Sequence, residues 1–191
     1  EAQQRRPSTA PAITVAVHEV DASEFQVNVQ SYGTVAPRTQ SFLVAQVSGQ
    51  IIELSAKLRE GSFFDAGDVL LKIDPRDYEA DVKIAEANLA EARRLLTEEH
   101  ARSAQAERDW ARLGNDGEPS DLVLRKPQLL AAEARVGSSD AALDRAKLSL
   151  ERTEVIAPFA GRVLRQMVDL GQVAGNNTQV AEVYATDYIE V

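Results

Sequence analysis

Hydrophobic and polar residues alternate through the first part of the chain in short blocks. From Ile13 onward apolar side chains occupy every second position within each block, the spacing that turns one face of a β-strand toward a core. The alternating positions are Val15 and Val17, then Phe25, Val27 and Val29, then Phe42, Val44 and, after a break, Val47. Gly33 and Pro37 separate the blocks, so the pattern predicts a β-rich region.

Residues 47–74 combine short apolar runs with three glycines. Gly49, Gly61 and Gly67 flank the apolar stretches at Ile51-Ile52 and 69–71. Glycine is the default residue where a tight turn needs a positive φ, so this segment is predicted to form a compact sheet with sharp corners.

The pattern then changes to a helical one. Residues 76–113 contain no glycine or proline and are rich in Ala, Glu, Arg and Leu. Eight of ten positions in two seven-residue series are apolar: Val82, Leu89, Leu96, Ser103 and Trp110, and Ala85, Ala92, Glu99, Ala106 and Leu113. Such a seam predicts a helix roughly 55 Å long that packs along one face. Asp74 and Pro75 supply a cap and a proline at its start.

A dense turn at 114–120 ends this helix, and a second helical series follows it. Its seam positions are Leu122, Leu129, Val136, Leu143 and Leu150, and mostly small residues follow three positions later, at Arg125, Ala132, Ser139, Ala146 and Thr153. Two matched helices around one short turn predict an antiparallel coiled-coil hairpin. Pro127 requires either a late-starting helix or a kink, and we expect a kinked or wide tip.

After Val155 the β-type composition returns and resembles the earlier segment. Gly161 aligns with Gly49, residues 163–164 with 51–52, and 171–173 with 61–63, while Gly175 and Asn176-Asn177 occupy the region of Gly67. Any two β-hairpins can share a few glycines, but the shared order of glycine and apolar residues favours a true repeat. The two segments are therefore interpreted as halves of one domain, split by the hairpin.

Composition excludes several classes of function. The net charge is −9 and no basic patch is present, which excludes nucleic acid as a partner. No run of eighteen apolar residues is present, so any membrane anchor is expected outside these residues. His18 and His100 lie in no motif with a nucleophile, and no glycine-rich loop has phosphate-binding spacing, so enzyme activity is not expected and no cofactor is assigned.

Three further functions are alternatives: a lipoyl or biotinyl carrier, an exporter of soft metal ions and a coiled-coil tether. A lipoyl or biotinyl carrier needs a lysine at a turn tip between the half-sheets, and Lys72 lies in a predicted strand instead. Export of soft metal ions through thioether ligands is disfavoured, because Met167 is the only methionine and cysteine is absent; no metal site is assigned. A coiled-coil tether without a transport role remains open.

The split β-domain with an inserted hairpin resembles the periplasmic adaptor proteins, also called membrane fusion proteins (HlyD-like, RND-type adaptors). The residues that carry the resemblance are Val47-Ser48-Gly49, Glu60-Gly61, 66–70 and Ile73-Asp74-Pro75 before the hairpin, and Leu150, Thr153, Val155, Ala157-Pro158-Phe159, Gly161 and Val163 after it. The resemblance implies an α+β, modular fold: an antiparallel helical hairpin inserted in a split lipoyl-like β-sandwich, with partial β-barrel strands.

The resemblance also implies how the chain divides. The expected parts are a linker at 1–12, partial membrane-proximal and β-barrel strands at 13–40, the first lipoyl-like half at 41–75, the hairpin at 76–154, the second half at 155–184, and the first residues of a barrel strand at 185–191. Most of the barrel and the membrane-proximal domain are expected to be missing from this chain.

Adaptors of this kind join an inner-membrane transporter to an outer-membrane channel. The resemblance therefore implies a periplasmic subunit attached to the inner membrane through a part outside this chain. It implies a homo-oligomer, six copies in the pump, that forms a sealed conduit between an RND-type transporter and a TolC-like channel. An adaptor of an ATP-driven (ABC-type) exporter remains the alternative, and the cargo is not implied.

Related adaptors use an Arg…Leu…Ser pattern at the hairpin tip for contact with the channel. Matched onto this chain, the pattern assigns Leu113 and Ser120, with Arg108 or Arg112 in place of the arginine because Asp109 occupies its position. The simpler interpretation makes Ser120 the cap of the second helix and Leu113 the last seam residue. The resemblance further implies a ring-lining gate loop, to which we assign Gln172, Asn176 and Asn177. The hairpin seam comprises Val82, Leu89, Leu96, Trp110, Leu129, Val136, Leu143 and Leu150. Glu91, Arg94, Glu98 and Arg102 are candidates for pairing between neighbouring hairpins.

Overall fold

A computed structural model describes residues 11–114 and 117–190. The chain divides into two units, 1–33 and 34–191, which are described separately. In the first unit, residues 11–33 have exposed side chains, and no helix or strand occurs before residue 36 in the described range. The strands predicted from the alternation at Ile13–Val29 are therefore wrong for this structure, because an isolated strand without a hydrogen-bonded neighbour is not stable. Residues 1–10 of the predicted linker lie outside the described residues.

Among its described residues, the second unit contains ten short strands and two long helices. In chain order they are β1 (Ala36–Pro37), β2 (Gln40–Val44), β3 (Gly49–Leu54), β4 (Phe63–Phe64), β5 (Val69–Ile73), α1 (Arg76–Arg112), α2 (Lys126–Glu151), β6 (Glu154–Ile156), β7 (Gly161–Gln166), β8 (Val173–Ala174), β9 (Gln179–Ala185) and β10 (Ile189–Glu190). A 3₁₀ turn spans Ala56–Leu58 between β3 and β4. Strands precede and follow the two helices along the chain, as the split-domain interpretation requires.

Eight strands form two antiparallel sheets with strand orders β2-β9-β7-β4 and β6-β5-β3-β8. Each sheet takes strands from before and after the hairpin. Exchanging β2–β5 for β6–β9, strand by strand, converts one order into the other, so the two halves are related by a pseudo-two-fold. The repeat predicted from the glycines is thus the symmetry of the fold: Gly49 pairs with Ala174 and Gly161 pairs with Phe64.

Aliphatic side chains fill the space between the sheets. The largest that are fully buried are Ile51, Leu58, Leu70, Leu71, Ile73, Val163, Val168, Val180 and Val183. Gly49 and Gly161 occupy equivalent positions where neighbouring groups approach closely. A Cβ on Gly49 would lie 2.6 Å from Cγ2 of Ile73, and one on Gly161 would overlap the carbonyl oxygen of Tyr184. These two glycines are required by packing rather than by backbone angles.

The helical hairpin has arms of unequal length, 37 residues in α1 and 26 in α2. Pro127 lies in the first turn of α2, where its missing amide hydrogen costs nothing. Of the two options for this proline, the late-starting helix is correct and the kink is wrong. Leu122 and Arg125, predicted as helical seam residues, precede α2. Arg125 has a left-handed backbone (φ 55°) and separates the preceding turn from the helix.

The two ends of the second unit meet in a small ribbon. Ala36 pairs with Glu190 and Pro37 with Ile189, in antiparallel register. A strand therefore begins where the sequence predicted one, at 185–191, although Val191 lies outside the described residues. The assignment of 13–40 and 185–191 to a β-barrel and a membrane-proximal domain stays a prediction.

Candidate functional site

The seam of the hairpin joins α1 to α2 along the half nearer the sandwich. Ala85, Leu89 and Leu143 are buried there, and Val82, Val136 and Ala146 pack against them. The predicted seam positions are all buried or half-buried: Val82, Leu89, Leu96, Trp110, Leu129, Val136, Leu143 and Leu150. Small residues such as Ala85 and Ala92 let the helices approach closely. The seam therefore holds the hairpin together and contributes little exposed surface.

The tip of the hairpin is built differently, because α1 extends beyond the start of α2. The last three turns of α1 contact the segment that precedes α2, in which residues 121–125 form turns rather than helix. The Ser103 hydroxyl donates to the carbonyl oxygen of Leu124 at 2.6 Å, and the Trp110 indole N–H donates to that of Gly117 at 3.4 Å. Backbone hydrogen bonds close the turn itself, including one from the Leu124 amide to the Ser120 carbonyl oxygen at 3.0 Å.

An ion pair on the inner side of the tip connects α1 to this turn. Glu99 is only 8% exposed, and its Oε1 accepts from Nε of Arg125 at 2.5 Å. Arg102 lies 3.6 Å from the other carboxylate oxygen. The Arg125 guanidinium lowers the pKa of the Glu99 carboxyl, with a smaller contribution from Arg102. The sequence contained a sign of this pair, since Glu99 and Arg125 are charged residues at seam positions of the two series, but their contact was not predicted.

The residues assigned to channel contact lie near this tip. Leu113 follows the last turn of α1 and is 76% exposed, so the simpler interpretation of it as a packed seam residue is wrong. Arg112 pairs with Asp109 at 3.2 Å, and Arg108 donates to the Ala104 carbonyl at 3.1 Å.

Ser120 does not cap the second helix, contrary to the simpler interpretation. Its hydroxyl accepts from the amide of Val123 at 3.4 Å, so it caps the short turn at 121–125. The helix α2 begins only at Lys126, after the left-handed Arg125. Leu122 in that turn is 71% exposed. The sequence pattern assigned this leucine to the seam, but it lies on the surface of the tip together with Leu113.

The charged residues proposed to pair between hairpins form a ladder along one face of α1. Arg94 contacts Glu91 at 2.8 Å and Glu98 at 3.1 Å, and Arg102 contacts Glu98 at 2.6 Å. Each of the four residues pairs with at least one of the others at helical spacing, so a contact with another hairpin would compete with these pairs.

The predicted gate residues lie in exposed turns of the second sandwich half. Gln172 accepts on its side-chain oxygen from the Asp169 amide at 3.0 Å, and its carbonyl accepts from the Ile51 amide at 2.8 Å. Asn176 is exposed. Asn177 has a left-handed backbone (φ 67°), and its amide donates to the Ala45 carbonyl at 2.8 Å. Gln172 and Asn177 thus help to shape the turns in which they lie.

The pseudo-two-fold relates these turns to their counterparts in the first half. Asn177 corresponds to Gly67, whose φ is 88°. Gln50 donates to the Gly171 carbonyl at 3.1 Å, and the equivalent Arg162 donates to the Gly61 carbonyl at 2.7 Å. Each half therefore uses one side chain to hold the turn of the other half.

Two lysines of the sandwich pair with nearby carboxylates. Lys72 lies in β5 and pairs with Glu154 at 3.1 Å, which raises its pKa. Hydrogen bonding to Lys57 lowers the pKa of Asp68 beside the 3₁₀ turn. Among residues 11–114 and 117–190 there is no group of three or more His, Asp or Glu that could hold a metal ion. No helix in the same ranges is long and apolar enough to cross a membrane.

The sandwich and hairpin match known proteins. The family model for the RND MFP barrel-sandwich hybrid domain matches residues 40–186. Multidrug resistance protein MexA of Pseudomonas aeruginosa is 33% identical over 172 residues, covering 89% of this chain and 40% of the relative. Multidrug resistance protein MdtA of Yersinia enterocolitica is 30% identical over 166 residues, covering 83% of this chain and 35% of the relative.

A solved structure agrees with the sequence matches. A MacA–MexA chimera that contains the MexA α-hairpin domain of Pseudomonas aeruginosa matches with a TM-score of 0.59 and 27% identity, covering 81% of this chain and 51% of the chimera. The chain belongs to the membrane fusion protein family of RND efflux systems, a class of non-enzymatic adaptors. It spans about two-fifths of the length of the curated relatives that it matches.

Proposed function

We propose that this chain is the hairpin and lipoyl-like part of a periplasmic adaptor that joins an RND-type inner-membrane transporter to a TolC-like outer-membrane channel. The observation that carries the proposal is the exposed tip of a long helical hairpin on a sandwich of the adaptor family. The relatives' names, which describe multidrug resistance proteins, support an export role.

In this proposal the protein acts by geometry rather than by chemistry. Copies of the adaptor, six in the complete pump, form a ring whose sandwiches enclose a conduit. The hairpins extend from the ring, and their tips dock end-on to the helical ends of the channel. Leu113 supplies apolar contact there, with Arg108, Arg112 and Ser120 around it, while Gln172, Asn176 and Asn177 line the opening of the ring. Attachment to the inner membrane is assigned to a part of the protein outside this chain.

Partner recovery tests the proposal directly. The full-length protein is captured from gently solubilised, crosslinked envelopes, and the co-purifying proteins are identified by mass spectrometry. Recovery of an RND transporter together with a TolC-like channel is expected. An ATP-driven transporter in its place would assign the adaptor to an ABC-type exporter, and clean recovery of the bait alone, under conditions that preserve a known pump, would favour a coiled-coil tether.

A substitution at the tip tests the docking surface. Leu113→Asp is expected to abolish channel docking and export while the helix content and thermal midpoint stay unchanged, because Leu113 is 76% exposed. Ile84→Asp is the matched control, since Ile84 is 60% exposed but lies near the start of α1, at the opposite end of that helix from Leu113. Normal export by the Leu113 variant at normal expression would refute the assignment of the tip.

A further inference from the structure

The tip of the hairpin contains a buried glutamate paired with an arginine of left-handed backbone, a combination that packing alone does not explain. A glutamate that is 8% exposed occupies a seam position of α1, and its partner Arg125 adopts a left-handed backbone that L-residues other than glycine, asparagine and aspartate rarely adopt. Replacing a buried ion pair by apolar residues is often neutral or stabilising, because desolvating two charges offsets much of their attraction. The pair therefore calls for a reason beyond stability.

Its geometry supplies that reason. Arg125 is the last residue before α2, and Glu99 lies 26 positions earlier, in α1. Ser103, one turn further along the same face, holds the Leu124 carbonyl at 2.6 Å. The two contacts fasten consecutive residues of the turn to α1. Nothing else described in this turn is deeply buried, since residues 121–125 are exposed or half-buried.

We propose that Glu99 and Arg125 are positioning residues that fix the turn at 121–125 against α1 and so set the shape of the surface that docks to the outer-membrane channel. The proposal rests on the function proposed above. Without the pair, the turn carrying Leu122 would lose its fixed place relative to Leu113, the two leucines exposed at the tip. A directional ion pair selects one arrangement of the turn, which an apolar contact does not do.

A distance measurement tests the positioning step without any partner. This chain has no cysteine, so Glu107→Cys and Leu122→Cys introduce two unique spin-label sites in the full-length adaptor once any cysteine outside these 191 residues is replaced by serine. The distance distribution is expected to be narrow in the parent protein and broad after Glu99→Gln. Glu91→Gln, which removes the same charge from an exposed pair on α1, is expected to leave it narrow. An unchanged distribution in the Glu99 variant would overturn the proposal.

Arg125→Gly guards against simple loss of folding. Glycine relieves the positive φ while removing the guanidinium, so the hairpin is expected to fold with an unchanged helix content and yet show the broad distribution. A narrow distribution in this variant would mean that the backbone alone sets the turn, which would overturn the role of the pair.

Docking of the same variants, without labels, to the purified channel completes the test. If the docking-competent tip is populated about one tenth of the time, the apparent affinity of Glu99→Gln and of Arg125→Gly falls about tenfold. A broad distance distribution in these variants together with an unchanged affinity for the channel would overturn the role of the pair in docking. Leu113→Asp would then still test whether the tip itself binds the channel. If Leu113→Asp also left docking unchanged, the proposed function would fail, whereas the distance result would still establish the positioning pair.

Discussion

The β-sandwich and the tip of the hairpin are held together in different ways. Two repeated halves fill the sandwich with buried aliphatic side chains, and the Gly61 turn of one half and the Gly171 turn of the other are each held by a side chain of the opposite half. The tip has no second helix against the last turns of α1, and polar contacts from Glu99 and Ser103 hold its turn. The shape of the sandwich is therefore set by how its side-chain volumes fill the core, whereas the shape of the tip is set by directional hydrogen bonds and an ion pair.

The largest expected effect comes from the sandwich, where volume decides. Gly161→Ala places a methyl group into the carbonyl oxygen of Tyr184, which is backbone and cannot rotate away. The free energy of unfolding is expected to fall by about 3 kcal/mol. Gly49→Ala meets the side chain of Ile73 instead, which can adjust, and should cost about 1–2 kcal/mol less. Urea denaturation monitored by the β-sheet signal measures both.

Gly137 supplies the control for this prediction. It lies inside α2, where an added methyl group would meet open space. Gly137→Ala should raise the stability of the hairpin by about 0.5–1 kcal/mol, because alanine loses less backbone entropy in a helix. An equal loss of stability in Gly161→Ala and Gly49→Ala would show that the sandwich relaxes around either methyl group. Close packing would then not determine its shape.

The base of the hairpin should behave like a core. Leu143→Ala removes the buried leucine that packs on Ala85 and Leu89, and the free energy of unfolding is expected to fall by about 2–3 kcal/mol. Leu130→Ala, at an exposed position of the same helix, should stay within about 0.5 kcal/mol. Thermal unfolding, followed by the helical circular dichroism signal, measures both variants. A similar loss of stability in the two variants would contradict the assignment of Leu143 to a buried seam.

Much of this architecture could be predicted from the sequence because it follows from periodicity. The seven-residue series predicted α1 nearly to its observed ends, and the order of the glycines predicted the two sandwich halves. Both features repeat a local pattern many times, so single exceptions did not change the interpretation. The alternation from Ile13 to Val29 did not predict strands correctly, because a period-two pattern does not provide the strand that must pair with it.

The tip could not be predicted in this way because single residues determine it. Pro127 permitted two outcomes, and only the left-handed Arg125 shows which one occurs. The partner of Arg125 is 26 positions away, beyond any helical repeat. Glu99 and Ser103 were counted as exceptions to an apolar seam, whereas they are the residues that bind the turn.

Acid should loosen the tip before it affects the sandwich. The pKa of Glu99 is lowered in the folded protein by Arg125, so the stability from this pair is present above the ordinary glutamate range and is lost as the pH falls through the folded value. The single tryptophan, Trp110, lies at the tip, and its fluorescence is expected to change below about pH 4 while the β-sheet signal persists. In Glu99→Gln the turn should already be loose at pH 7, so the tryptophan fluorescence should change less as the pH is lowered. Identical titrations of the two proteins would assign the change to other carboxyl groups.

The smallest effect tests how closely the two sandwich halves correspond. Asn177 and Gly67 occupy equivalent left-handed positions, with φ of 67° and 88°. Since asparagine tolerates this conformation, Asn177→Gly should change the free energy of unfolding by less than about 0.5 kcal/mol, whereas Asn177→Ala should lower it by about 1 kcal/mol. Paired thermal melts resolve this difference if both variants are measured against the parent protein in one buffer. A large loss in Asn177→Gly would mean that the asparagine side chain makes a contact that its glycine counterpart does not need, and that the two turns are equivalent only in their backbone.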